Sequence, residues 1–271
     1  MSPIHPTALV SPKSRMGDHV QIGPFCIIED DVSIGEGTTL LERVHVGKGT
    51  TIGRNNFIHM GAVIGHEAQA KGSHGIQSFL KVGDNNVFRE YVTVHRGATE
   101  QSLTRIGDDN YFMAFSHVGH DCDLKNHVTV THAVMLGGHV ILDDYCMLGG
   151  GCGVHQFCKI GSYAMIGGKA TVTKDVPPYM LIDDNESLIG SMNVVGLRRA
   201  GFSEEVKRDI KNAYRLLYLS GLSTPHALES ILKACHTREV AYLVDFMKSS
   251  KRGILGHRKQ KDRSLFGLPV L

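Results

Sequence analysis

Three short segments hold the side chains best suited to chemistry: FSHVGHDC (115–122), VMLGGHV (134–140) and GVHQFC (153–158). Each sets a histidine near glycine. An imidazole can take a proton near neutral pH as a general base, or ligate a metal when neutral. Sixteen histidines are many for 271 residues, and most lie between His59 and His155. His19, His45 and His127 fall at outward repeat positions and read as solvated surface residues. His117, His120 and His139 cluster and do not read so simply. The six cysteines form no CxxC pair, so a structural zinc site is poorly supported.

The element that must position these residues is a repeat. Counting in sixes from Ile4 reaches Ile64, resumes from Val82 to Val94, and resumes again from Ile106 to Val172. All 26 rungs are apolar, in a chain that is 42% hydrophobic overall. Glycine often follows the rung, as at Gly23, Gly35, Gly53 and Gly137, which suits a tight corner between short strands. Four residues past the rung the side chain is small or β-branched. Cys26, Cys122, Cys146, Cys152 and Cys158 all occupy this position and read as core residues, and Cys235 sits on a helical apolar stripe. A six-residue period with one-sided burial is the mark of a parallel β-helix. Three sides per turn makes ~18 residues per coil, with coils ~4.8 Å apart.

The register breaks near 66–81 and 97–105, which reads as two loops thrown from a corner, and it stops at Asp175-Val176-Pro177-Pro178. From Ser203 the apolar period becomes helical, with further helices expected from Thr224-Pro225 and over about 238–250. The division expected is a β-helix over 1–190 and a small α-helical C-terminal domain over 191–271. The basic stretch Lys248–Arg263 lies at its end, and the tail after Gly253 reads as poorly ordered.

Residues ~18 apart stack on one edge, which puts His120, Gly138 and Gln156 in a column. A candidate base then lies one coil below a glycine whose N–H could face the same pocket. Acyl transfer needs that pair: a base for the attacking group and a donor for the tetrahedral oxyanion. Gly137-Gly138 could equally be a corner and nothing more, and stacking alone leaves both readings open.

With KDVPPY (174–179), NVVGLRRAGFS (193–203) and REYVTVHRG (89–97) added to the three segments, nearly the whole chain resembles the acyl-carrier-protein–UDP-N-acetylglucosamine O-acyltransferases. That family opens lipid A biosynthesis in Gram-negative bacteria. The resemblance implies left-handed coils, a homotrimer with sites between neighbours, and no cofactor or metal. It makes His120 the general base and Gly138 N–H the oxyanion donor. It implies that His117, His139 and Gln156 line the substrate cleft, that Gln69 contacts the nucleotide sugar, and that Asn193 and Arg199 contact the nucleotide. Gly168 falls where the family sets acyl-chain length, and glycine there leaves the groove open to a longer chain, with Lys169 close to its floor. Acyl carrier protein is the implied donor and a UDP-amino sugar the acceptor. Arg252, Arg258 and Lys259 are suited to steering the acidic carrier, and they read equally as a solvated basic tail.

The chain departs from the family pattern at Ala70 and Gly72, where familiar members have an acidic and a basic residue, and at Ala200, where they have a second arginine. These changes touch recognition of the acceptor, which raises the 3-amino analogue of the sugar as an alternative acceptor. Other readings are a hexapeptide acyltransferase using a short acyl-coenzyme A, a trimeric β-helix zinc enzyme with His117, His120 and His139 as ligands, and a solenoid without chemistry. Use of coenzyme A thioesters, stoichiometric zinc, and a silent His120→Ala would respectively identify them.

A net charge of +2 does not suggest a nucleic-acid partner. No apolar run approaches the ~18–20 residues of a membrane helix. MSPIHPTALVSPK lacks the layout of a signal peptide, and the reduced-looking cysteines suit the cytoplasm.

Overall fold

The computed structural model describes residues 3–183 and 186–257. The repeat folds as a left-handed parallel β-helix whose short strands stack into three sheets, with nine, eight and ten strands among the described residues. Leu9 pairs with Ile27 and Ile27 with His45, so one coil is 18 residues. Val63 pairs with Thr93, and Thr93 with His117, separations of 30 and 24 residues in place of 18. The two insertions therefore add twelve and six residues, whole multiples of the repeat, which is why the register resumes after each. They are narrower than the sequence pattern indicated. Strand runs to His66 and restarts at Phe79, then runs to His95 and restarts at Leu103, because Leu80 and Thr104 already occupy inward positions.

The corner glycines have a different cause from the one expected. The left-handed backbone position falls three residues past most rungs and is mostly not glycine: Phe25, Asp121, His139, Phe157 and Tyr163 all have φ near +60°. An L-residue there costs on the order of 1–2 kcal/mol. Stacking along the corner offsets it, as in His139–Phe157 (4.5 Å), His127–Tyr145 (4.5 Å) and Tyr145–Tyr163 (4.7 Å). The glycine directly after the rung is needed for space. A Cβ on Gly35 would stand 2.5 Å from the Gly53 carbonyl oxygen one coil above.

Inside the prism the rungs are buried, with Phe88 and Phe112 stacked at 4.8 Å. The five cysteines at inward positions are buried, and burial pushes the Cys122 thiol up to about 12. Buried Asn56, Asn86 and Asn110 form a ladder in which each side-chain oxygen accepts from the backbone N–H of the next coil. The buried amides are thereby largely satisfied.

The solenoid does not end at the proline pair. Val176 bridges to Ile160, and Met180–Ile182 continues the ten-stranded sheet before Ile189–Met192 turns back antiparallel. Four helices follow among the described residues: α1 (Val194–Arg199), absent from the sequence reading, α2 (Glu204–Tyr218), α3 (Thr224–Ala234) and α4 (Arg238–Ser249). Ser203 caps α2 through Val206 N–H, and Pro225 lies in the first turn of α3. Ala227, Leu228 and Ile231 form the buried face of α3, and Leu232 is exposed. Tyr242 of α4 donates to Asp143 Oδ2 (2.6 Å), tying the helices to the solenoid.

The segment after α4 is ordered through His257. Asp175 N–H donates to Gly253 O, Leu255 N–H to Asp175 O, and Ile189 N–H to Gly256 O. Arg258 and Lys259 lie outside the described residues. No helix is long and apolar enough to cross a membrane, among the described residues.

Candidate active site

The column predicted at one corner forms, and it contains a fourth residue. The corner joins the strand His117–Val118 to the strand Asp123–Leu124. Within it His120 Nδ1 bonds Asp121 Oδ2 at 2.7 Å. Asp121 is held there by Ala98 N–H (3.1 Å) and Ser102, while its own N–H donates to Thr104 Oγ1 (2.7 Å). Burial opposes the carboxylate's charge, but the hydrogen bonds from His120, Ser102 and Ala98 outweigh it and keep its pKa below the usual range. A charged Asp121 accepts the proton on Nδ1, and this leaves the Nε2 lone pair of His120 free to act as a base.

Gly138 lies directly over that ring. A Cβ added at 138 would stand 2.5 Å from His120 Cε1 and 2.6 Å from Nε2. Within the chain the Gly138 N–H donates to no other group, among the described residues. His139 stands edge-on to His120 with ring centroids 5.2 Å apart, and its Nε2 is 3.7 Å from Asp121. Gln156 follows one coil above and is exposed. His117 is half-buried, bonds Thr93 Oγ1 at 2.8 Å, and is pushed down to about 4 by burial and then by His95 and His120. It is a neutral hydrogen-bonding group near neutral pH. A cavity of about 700 Å³ opens from Asp121 and His139 along Ile141, Phe157 and Lys159 to Lys251 and Arg252.

The other sequence candidates lie elsewhere. Gln69 is exposed on the first loop, whose root at Glu67 bonds His95, which in turn packs on His117 at 5.3 Å. Gly72 has φ +84° in a turn closed by Ser73 onto Ala70 O, so glycine at this departure from the family pattern has a backbone reason. Asn193 is engaged at both ends of its amide: Oδ1 caps α1 by accepting from Gly196 N–H, and Nδ2 donates to Tyr163 O. Arg199 is exposed on α1. Gly168 occupies a different corner, over Gly150 and His132, with only Gly150 O near its open side at 3.3 Å.

Two expectations change. Among the described residues, the cluster able to hold a metal is His120, Asp121 and His139, and His117 is not part of it. Arg252 is not a free tail residue. Its Nε donates to Thr173 O and its guanidinium meets His155 Nδ1, both at 2.8 Å. Asp121 itself was missed. Its signal was its position immediately after His120, but only the left-handed turn at 121 swings the carboxylate back onto the ring.

Two family models match the chain: "Bacterial transferase hexapeptide (six repeats)" over 13–48 and 33–66, and "Udp N-acetylglucosamine O-acyltransferase; Domain 2" over 175–255. Curated relatives named acyl-[acyl-carrier-protein]–UDP-N-acetylglucosamine O-acyltransferase include one from Halorhodospira halophila, 45% identical over 94% of this chain and 100% of that one. Another from Sulfurihydrogenibium is 49% identical over 94% of each chain. The crystal structure of LpxA, a UDP-N-acetylglucosamine acyltransferase from Bacteroides fragilis, superposes with a TM-score of 0.91 at 37% identity, covering 93% of this chain and 99% of that one.

Proposed function

Because the chain belongs to the acyl-[acyl-carrier-protein]–UDP-N-acetylglucosamine O-acyltransferase family, we propose that it moves an acyl group from acyl carrier protein to the 3-position of UDP-N-acetylglucosamine, the first step of lipid A biosynthesis. The observation that carries the mechanism is His120 held by Asp121 beneath the Gly138 N–H. Nε2 of His120 takes the proton of the sugar hydroxyl as its oxygen attacks the thioester carbonyl. The new C–O bond leaves a tetrahedral oxyanion, which Gly138 N–H receives. Collapse breaks the C–S bond, and the imidazolium returns its proton to the departing thiolate. One oxyanion donor contributes roughly 10²–10³ in kcat in such reactions, and Asp121 stabilises the imidazolium in between.

The geometry supports a homotrimer. Gly168 and His120 occupy different corners of one prism, an arrangement that suits an acyl chain lying in a groove between two copies. Light scattering at about three times the 29.6 kDa chain mass is expected, and a monomer at working concentration would contradict it. Arg198, Lys207, Arg208, Lys211 and Arg215 line a cavity of about 720 Å³ between α1 and α2, where among the described residues Glu204 is the only acid. This basic surface suits an acidic carrier. The departures at Ala70 and Ala200 keep the 3-amino sugar, with an amide product, as the second acceptor reading.

The test is incubation with a panel of 3-hydroxyacyl carrier proteins and both UDP-sugars in competition, read by mass spectrometry. An acylated UDP-sugar that falls by orders of magnitude with His120→Ala is expected. Product from short acyl-coenzyme A alone would move the function to another acyltransferase, and preference for the ordinary sugar would exclude amide selectivity.

A further inference from the structure

Residues 96–98 touch both loops and the catalytic corner together. Arg96 is 8% exposed and follows the strand Thr93–His95, whose register with His117–Val118 sets it one coil below His120. Its Nη1 donates to Gly65 O (3.2 Å), its Nη2 meets Glu67 Oε1 (3.5 Å), and its N–H donates to His66 O (3.1 Å). Buried His95 reaches Glu67 O through Nδ1. Glu67 in turn accepts from His74 Nδ1 (2.8 Å), closing the root of the first loop onto its far side. Gly97 is bonded by Ser78 Oγ (2.6 Å), and Ala98 N–H is bonded to Asp121. The bulge at Gly65, φ +79°, turns its carbonyl and that of His66 toward Arg96.

We propose that Arg96 and Glu67 are positioning residues that lock the Gln69 loop to the His120–Asp121 corner, so that the acceptor's sugar is presented at a set height above the base. The proposal rests on the acyltransferase reading and extends it to residues that touch neither substrate nor reacting atoms. A buried guanidinium spanning a carbonyl and a carboxylate resists replacement, because lysine cannot supply the same fork. Losing the clamp frees the loop, and a freed loop must be ordered again by the acceptor, which weakens acceptor binding and leaves the chemistry intact.

The experiment uses the full chain with Arg96→Lys, Glu67→Gln and the double variant. The KM for UDP-N-acetylglucosamine should rise about tenfold while kcat and the KM for acyl carrier protein stay within about twofold. The double variant should be no worse than the poorer single one, since both act on one contact. Amide exchange over 67–78, measured without substrate, should speed up at least about tenfold while the rungs hold. Unchanged acceptor KM, or unchanged loop exchange, overturns the proposal. A fall in kcat accompanied by a lower melting temperature also overturns it, because that is the mark of a merely structural pair. Wild-type protein that ignores the UDP-sugar would sink the acyltransferase reading and the acceptor's part in this proposal, and is recognised without any substitution.

Discussion

Asp121→Asn isolates the part of the proposed mechanism that the fold assembles. The carboxylate oxygen lies 2.7 Å from His120 Nδ1, in a side chain 9% exposed beside a ring 20% exposed. When His120 takes the acceptor's proton, the new positive charge lies about 4 Å from the centre of that carboxylate. At an effective dielectric near 20 the attraction is about 4 kcal/mol, and partial solvent access reduces it to about 2–4 kcal/mol. Asparagine removes the charge. Its NH₂ can also donate to Nδ1, which moves the ring proton to Nε2 and removes the base. The expected result is a fall in kcat of roughly 30- to 10³-fold, with KM for both substrates within about threefold. Steady-state kinetics with acyl carrier protein and UDP-N-acetylglucosamine measure it, with Asp121→Glu as a control that keeps the charge. A loss of less than about fivefold, in a protein with the native melting temperature, would refute the claim that Asp121 supports the base.

Three other outcomes follow from the same geometry. Gly138→Ala drives a methyl to 2.5 Å from His120 Cε1, so kcat should fall by at least about 10²-fold while circular dichroism stays native. His117 titrates at about 4 in the native protein against ~6.5 when unfolded. Between those values the unfolded chain holds a proton that the native one lacks, so stability rises with pH across that window and levels off above it; urea midpoints at about pH 5 and 7.5 should differ less in His117→Gln than in wild type. Gly168→Met sets its Cβ in a tight contact with Gly150 O at 3.3 Å, and should shift donor preference toward shorter acyl chains in the carrier-protein panel.

The rungs from Ile4 to Val172, the coil length and the stacking of His120 under Gly138 were legible in the sequence, because a solenoid buries one side chain per repeat and stacks coils at a constant spacing. Such order depends only on local period, so it survives two loops that insert twelve and six residues. The expected role of the corner glycines was displaced because period alone does not tell a close backbone approach from a left-handed turn. Asp121, Arg96 and Glu67 carried no periodic signal. Asp121 reaches His120 only through the conformation of its own corner, and Arg96 meets Glu67 across 29 residues only because the intervening loop returns to its coil. Repetition along the chain is written residue by residue, whereas contacts made at corners and between loops depend on where the backbone turns, and only the assembled coils set those turns.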